Sequence, residues 1–179
     1  MTAHRQQPRR HRGAAAAGAA CDYRLKNAVT CPGGGGCAPS TALAGTCVAA
    51  TAEAEPNDSI ATRQGALTSS AVFHGALASV ADVDCYGLTV PADASVFLKL
   101  NDANDRCDGV GGLSVTLRTA AGVEVADALC PGIDGPLRGP AHRLSAGAYV
   151  ACVHTFDGPA GHISPSIAYS LTVGIVPAP

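Results

Sequence analysis

Two glutamates, an asparagine and an aspartate fall within six positions of the stretch EAEPNDS, as Glu53, Glu55, Asn57 and Asp58. Only 15% of the chain is charged, so the concentration stands out. A second pair, Asp82 and Asp84, follows in VADVDCYG. Carboxylates helped by an amide carbonyl are the hard oxygen donors that Ca2+ prefers, and the ion takes about six to eight of them. Pro56 biases Glu55 toward extended backbone, and alternate residues of an extended segment share a side. Glu53, Glu55 and Asn57 can therefore reach one point, and Asp82 and Asp84 alternate in the same way. Converging carboxylates repel, and a divalent ion removes that penalty. A competing reading makes Asp58 or Ser59 the cap of a short helix over residues 59–64, stopped by Gly65. Glu53 and Glu55 are then a solvated linker, and the residues alone leave both readings open.

Other chemistry is poorly supported. There is no Gly-x-Ser-x-Gly or His-Glu-x-x-His motif, and His74, His142, His154 and His162 are scattered over turns and strand ends. NDANDRCDG lacks the glycine and closing glutamate of an EF-hand. The glycines at 33–36 are not followed by the Lys-Ser or Lys-Thr of a phosphate loop. No catalytic constellation emerges, and the chain is read as a non-enzyme.

The elements that must position the acids are strands. Segments 72–77, 84–90, 96–100, 113–117, 123–129, 149–153 and 169–173 are short, and most alternate apolar with polar residues. Glycine, proline and aspartate turns separate them. About eight such strands predict an all-β, antiparallel jelly-roll-like sandwich. Apolar residues make up 47% of the 179-residue chain and aromatics 4%, so its core must be aliphatic. The sandwich is assigned to residues 53–179, after a disordered basic and alanine-rich leader at 1–20 and a Cys-rich segment with linker at 21–52. No apolar run reaches the roughly 18 residues of a transmembrane span.

Arg5, Arg9, Arg10 and Arg12 are four of the twelve basic residues, which leaves eight basic against fourteen acidic in the rest. A basic head on an acidic body does not suit a nucleic-acid partner. Eight cysteines without a Cys-x-x-Cys pair favour disulfides and an oxidising compartment, outside the cell or at its envelope. The connectivity of Cys21, Cys31, Cys37 and Cys47 is open. Ala19-Ala20-Cys21 resembles the end of a lipoprotein signal, which would make Cys21 lipid-bearing. An incomplete or mis-started leader is the alternative.

Taken in order, EAEPNDSIATRQGAL, GALASVADVDCYGLTV, LSAGAYVACV and YSLTVGIV resemble the bacterial pre-peptidase C-terminal domain. That domain is similar to the collagen-binding modules of secreted bacterial collagenases. The resemblance covers residues 53–176 and implies a non-catalytic β-sandwich accompanying secreted peptidases, with calcium held by the acidic segment before its first strand. Carried over by position, the ligands are Glu53, Glu55, Asn57, Asp58 and Asp84. A further aspartate of that pattern is Ala81 here: either Asp82, one position later, substitutes for it through a shifted loop, or the site has lost a ligand and some affinity.

Cys107 and Cys130 flank a hairpin, and many relatives carry cysteines at these places, so they are expected to pair. Cys85 and Cys152 both alternate away from the core face and can pair if their strands are neighbours. The leading expectation is a secreted accessory or binding module with an extracellular protein or polysaccharide as partner. A remnant of a secreted peptidase system and a collagen or carbohydrate adhesin are the alternatives. Scarce aromatic anchors weigh against the adhesin.

Overall fold

The structure is a computed structural model. It describes residues 18–21, 31, 35–39, 45–102, 112–129, 137–138, 142–155 and 167–178. The pairing expected of Cys107 and Cys130 lies outside them, as do residues 1–17.

Three short strands, β1 (Ala20–Cys21), β2 (Gly36–Pro39) and β3 (Gly45–Val48), form a small sheet in the order β1-β3-β2. β4 (Ala50–Ala52) and β5 (Gln64–Leu67) follow, then β6 (Ala71–Leu77), β7 (Val83–Val90) and β8 (Ala94–Asp102). The chain continues through β9 (Leu113–Thr119), β10 (Glu124–Leu129), β11 (Leu137–Arg138), β12 (His142–Leu144), β13 (Gly147–Thr155) and β14 (Ile167–Pro177). β10-β9-β13-β7-β5 form one sheet; β11-β8-β14-β6-β4 form the other, with β12 also paired to β8. Pairing is antiparallel except at two edges, where β4 runs parallel to β6 and β5 parallel to β7. No helix among the described residues is long and apolar enough to cross a membrane.

Period-two alternation explains the core. Tyr86, Leu88 and Val90 of β7, and Val115 and Leu117 of β9, face Leu98 and Leu100 of β8 and Leu171 and Val173 of β14. All are buried, and the core is aliphatic apart from Phe73, Tyr86 and Tyr169. Burying an aliphatic side chain of this kind stabilises the fold by about 1.5–3 kcal/mol. Asp84 belongs to the same alternation as Tyr86 and Leu88, which makes it the inward position nearest the mouth of the sandwich.

The small sheet lies against the other side of the six-stranded sheet. A Cβ added to Gly36 would meet Val72 at 3.2 Å and the Thr172 hydroxyl at 3.7 Å. Cys21–Cys37 and Cys31–Cys47 staple this sheet, which is too small to bury a core of its own.

Several expectations need correction. Residues 50–52, read as linker, are the edge strand β4, because three consecutive small residues can still pair through their backbones. Ala20, assigned to the leader, pairs with Thr46, and Gly18 and Ala19 bond to Cys47. The helix expected over 59–64 is a single turn. Ser59 Oγ does accept from Thr62 N (3.2 Å), but Gln64 already enters β5. Gly65 takes its positive φ of 61° inside that strand, at an irregular register, and does not stop a helix. Cys21, the candidate lipid-bearing residue, is joined to Cys37 by a disulfide.

Candidate metal centre

β4 is an edge of the six-stranded sheet and β5 an edge of the five-stranded one. Residues 53–63 must therefore cross between the sheets, and the β6–β7 connection at 78–82 makes the same crossing. The two crossings carry five of the six candidate acids and amides, and the sixth, Asp84, follows at the start of β7. Gln64 pins the first of them, accepting from Ala54 N (2.9 Å) and donating to Ala52 O (3.0 Å). Glu53 N donates to His74 O of β6, and Cys85 N of β7 donates to Asn57 O, both at 2.9 Å. The acidic segment is thus tied to both sheets by its backbone.

One ligand atom from each of Glu53, Glu55 and Asp84 lies within 4.8 Å of the other two. Asn57 and Asp84 are 0% exposed at this point. Glu53 Oε2 accepts from Ala76 N (2.8 Å), and Glu55 Oε2 accepts from Asn57 N (2.9 Å). Asn57 Nδ2 donates to Glu53 Oε1 at 3.3 Å. Its Oδ1 then faces Glu55 Oε2 at 2.8 Å and Asp84 Oδ1 at 3.2 Å. Turning the amide over would convert both approaches into hydrogen bonds. The three carboxylates thus gather around the buried Asn57 amide, with Asp84 buried, Glu53 half-buried and Glu55 exposed at the rim. The Glu55–Pro56 peptide bond is cis.

Glu55, Asp58 and Asp82 form a second and more exposed triad, so Glu55 belongs to both. Asp82 also closes its own turn: Oδ2 accepts from Ala78 N (2.5 Å) and Oδ1 from Val83 N (2.9 Å). The position that departs from the family pattern is Ala81, and it offers no oxygen from its side chain.

Electrostatics reflect the crowding. Burial first, and then the Glu53 carboxylate as hydrogen-bond partner and neighbouring charge, push Asp84 up to about 8 against a lowering contribution from Tyr169. Without a cation Asp84 therefore holds a proton against Glu53 at neutral pH. The Asn57 N–H pulls Glu55 down, but burial and the charges of Glu53, Asp58 and Asp82 outweigh it, and the net direction is up.

Two residues of this site carry no acid and were not singled out from the sequence. Tyr169 OH donates to Asp84 Oδ2 at 2.6 Å. It has room because Gly75 lies opposite it in the β6–β14 register: an added Cβ would sit 2.4 Å from the hydroxyl. The available signal is an inward tyrosine in an aliphatic core, since a buried phenol needs a partner.

Cys85 and Cys152 face each other across β7 and β13 and are joined by a disulfide with an S–S distance of 2.04 Å. The bridge lies on the outer side of the five-stranded sheet, packed with Val150, Ile60 and Val83. Beside it is a groove of about 410 Å³ lined by Asp58, Asp82, Cys85, Thr116, Cys152 and His154, among others. His154 Nδ1 contacts the Thr155 carbonyl (3.0 Å) and so must donate. In the neutral ring, Nε2 then accepts from the Thr116 hydroxyl (2.8 Å).

Fold and site together define an all-β sandwich whose acidic crossing segment is clasped between its sheets. No family model and no curated protein matches the sequence. Among solved structures, the chain is similar to the pre-peptidase C-terminal domain of a collagenase from Bacillus anthracis, at 14% identity and a TM-score of 0.46. The match covers 61% of this chain and 92% of that one, and it names the same domain as the sequence resemblance. A carbohydrate-binding module, CBM36, solved with calcium and xylotriose, is similar at 16% identity and a TM-score of 0.35, over 56% of this chain and 77% of that one. A ruminal GH26 endo-β-1,4-mannanase is similar over 59% of this chain but only 20% of its own, at 18% identity and a TM-score of 0.37.

Proposed function

We propose that the protein is a non-catalytic accessory or binding module that works outside the cell or at the cell envelope, with its β-sandwich stabilised by calcium. The observation that carries the calcium reading is the convergence of Glu53, Glu55 and Asp84 carboxylate oxygens within 4.8 Å of one another, with Asp84 and the adjoining Asn57 fully buried. The donor set fits the ion: Glu53, Glu55, Asn57 and Asp84 supply inner oxygens, and Asp58 and Asp82 extend them through Glu55. Magnesium fits less well, because it demands a tight octahedron and gives up its waters reluctantly. Three disulfides among the described residues support an oxidising compartment.

The groove beside the Cys85–Cys152 bridge favours a binding role over a purely spacing one. Its volume falls in the usual range for ligand sites, and it mixes an apolar floor with hydroxyl, imidazole and carboxylate groups. An extracellular protein or a polysaccharide is the partner class we assign to it. A module of a secreted peptidase system is the second reading and rests on the sequence resemblance alone.

Thermal unfolding with calcium, magnesium or chelator tests the first part. Calcium at about a hundredfold excess over its dissociation constant should add about 2.7 kcal/mol, and magnesium much less. Identical melting in calcium and in chelator would remove the metal from the reading. A glycan and matrix-protein array probed in calcium tests the second part, and binding that survives Thr116→Arg would exclude the groove as the contact surface.

A further inference from the structure

Asp84 and Tyr169 stand on different sheets, β7 and β14, yet their side chains meet at 2.6 Å. Asp84 divides its two oxygens: Oδ2 takes the Tyr169 hydroxyl, and Oδ1 faces the Asn57 amide in the acidic cluster. While Tyr169 donates, the carboxylate cannot turn Oδ1 away from the cluster without leaving a buried donor unpaired. Tyr169 spends its only hydrogen on Asp84, so in the 2.6 Å contact between the two phenols Tyr86 must be the donor. Tyr86 is fully buried and stacks on Phe73, with ring centroids 4.2 Å apart. A directed chain therefore runs from Tyr86 through Tyr169 to Asp84, crossing between the sheets inside the sandwich.

We propose that Tyr169 is the positioning residue of the ion site, and that through it calcium occupancy is coupled to the contact between the two sheets. The proposal rests on the calcium reading above. Tyr169 touches no ion. It fixes which Asp84 oxygen is presented, and a donor to a charged acceptor is stronger than a neutral pair. Glu53, held by Ala76 N of β6, fastens the same cluster to the six-stranded sheet by a separate route. Tyr86 acts one bond further away and should matter less to affinity.

The experiment is calorimetric titration of calcium chloride into metal-free wild type, Tyr169→Phe and Tyr86→Phe. Circular dichroism checks folding, and ultraviolet difference spectra are recorded on calcium addition. Tyr169→Phe is expected to bind calcium about 10- to 100-fold more weakly, the worth of a hydrogen bond to a charged group. Tyr86→Phe should stay within about threefold of wild type, since it removes a neutral bond. Wild type should show a tyrosine difference band on saturation, and Tyr169→Phe should lose it. Wild-type affinity in Tyr169→Phe, with melting lowered equally in calcium and chelator, would overturn the proposal by giving Tyr169 a role in the core alone. If Tyr169→Phe does not fold, the wild-type spectrum decides: a tyrosine band upholds the coupling, and its absence at saturation overturns it. A wild type that takes up no calcium overturns the calcium reading itself, a result separable from the others.

Discussion

Asp84 and Asp82 are two residues apart and do different work. Asp84 sits at the inward end of the β7 alternation, fully buried, with no backbone donor of its own turn to satisfy. Asp82 is partly exposed and closes the 78–83 turn with two backbone hydrogen bonds. Asp84→Asn keeps an oxygen for Tyr169 but removes the charge, and it should abolish the calcium-dependent rise in melting temperature. Asp82→Ala should lower melting in calcium and chelator alike, by about 1–2 kcal/mol for the lost turn bonds, while keeping most of the calcium increment. Melting curves of both variants with and without calcium check this; an Asp82→Ala protein blind to calcium would make Asp82 a full substitute for the oxygen missing at Ala81. The raised Asp84 also sets a pH dependence with a definite sign. Its folded metal-free value of about 8 exceeds the ordinary 3.8, so between the two the folded chain binds more protons than the unfolded one. This group's contribution to the metal-free protein is thus fully present at low pH and lost as pH rises toward about 8. Calcium displaces the proton, so its affinity should climb over the same interval and level off above it. Titrations from about pH 6 to about pH 9, in buffers differing in ionisation enthalpy, should count a released proton that Asp84→Asn does not release.

At the scale of elements, the site exists because two sheet-to-sheet crossings lie side by side. β4 and β5 belong to different sheets, so the segment between them has to pass the mouth of the sandwich, where β7 begins. Gly75 shows how closely β6 must approach: a methyl group there would lie 2.4 Å from the Tyr169 hydroxyl and 2.9 Å from Glu53 Oε2. Gly75→Ala should therefore reduce stability by about 1–3 kcal/mol, the usual range for overpacking, and weaken calcium binding along with it. Stability lost with unchanged calcium affinity would separate the two. On the outer side of β7, Cys85–Cys152 closes a separation of 67 residues. Its replacement by two alanines should cost up to about 4 kcal/mol in the chain-entropy model, read from urea unfolding. The sandwich should still form, because the inward faces of β7 and β13 keep Tyr86, Leu88, Ala151 and Val153.

For the whole molecule, the crossing segment works as a clamp across the end of the sandwich. Its backbone bonds reach His74 of β6 and Cys85 of β7, and its side chains reach Ala76 and, through Asp84, Tyr169. Calcium should accordingly slow amide exchange at Ala76 and Cys85 together. Protection confined to residues 53–58 would mean that the ion organises the linker alone. The small cystine-stapled sheet adds a third layer, covering Val72 and Thr172 on the far side of the six-stranded sheet. That layer is why Val72 and Thr172, which point away from the sandwich core, are nevertheless buried.

Alternation of small and aliphatic residues was enough to place the main strands. β6 to β10, β13 and β14 lie where the short candidate segments fall, most of which alternate because a half-buried strand must do so to bury one face. The acids were legible because four acid or amide residues crowd into EAEPNDS in a sparsely charged chain, although capping and a solvated linker were rival uses for them. The edge strands were not. β4 and β5 are three or four residues of small or polar type, and their pairing depends on backbone groups of β6 and β7 that are close only after folding. The same holds for the division of the acids into a set around the buried Asp84 and a more exposed triad, which follows from where each crossing meets the sheets. Tyr169 is 85 residues from Asp84 along the chain. Composition and spacing say nothing about such a pair; the packing of one sheet on the other, with Gly75 leaving the gap, decides that the phenol ends on that carboxylate.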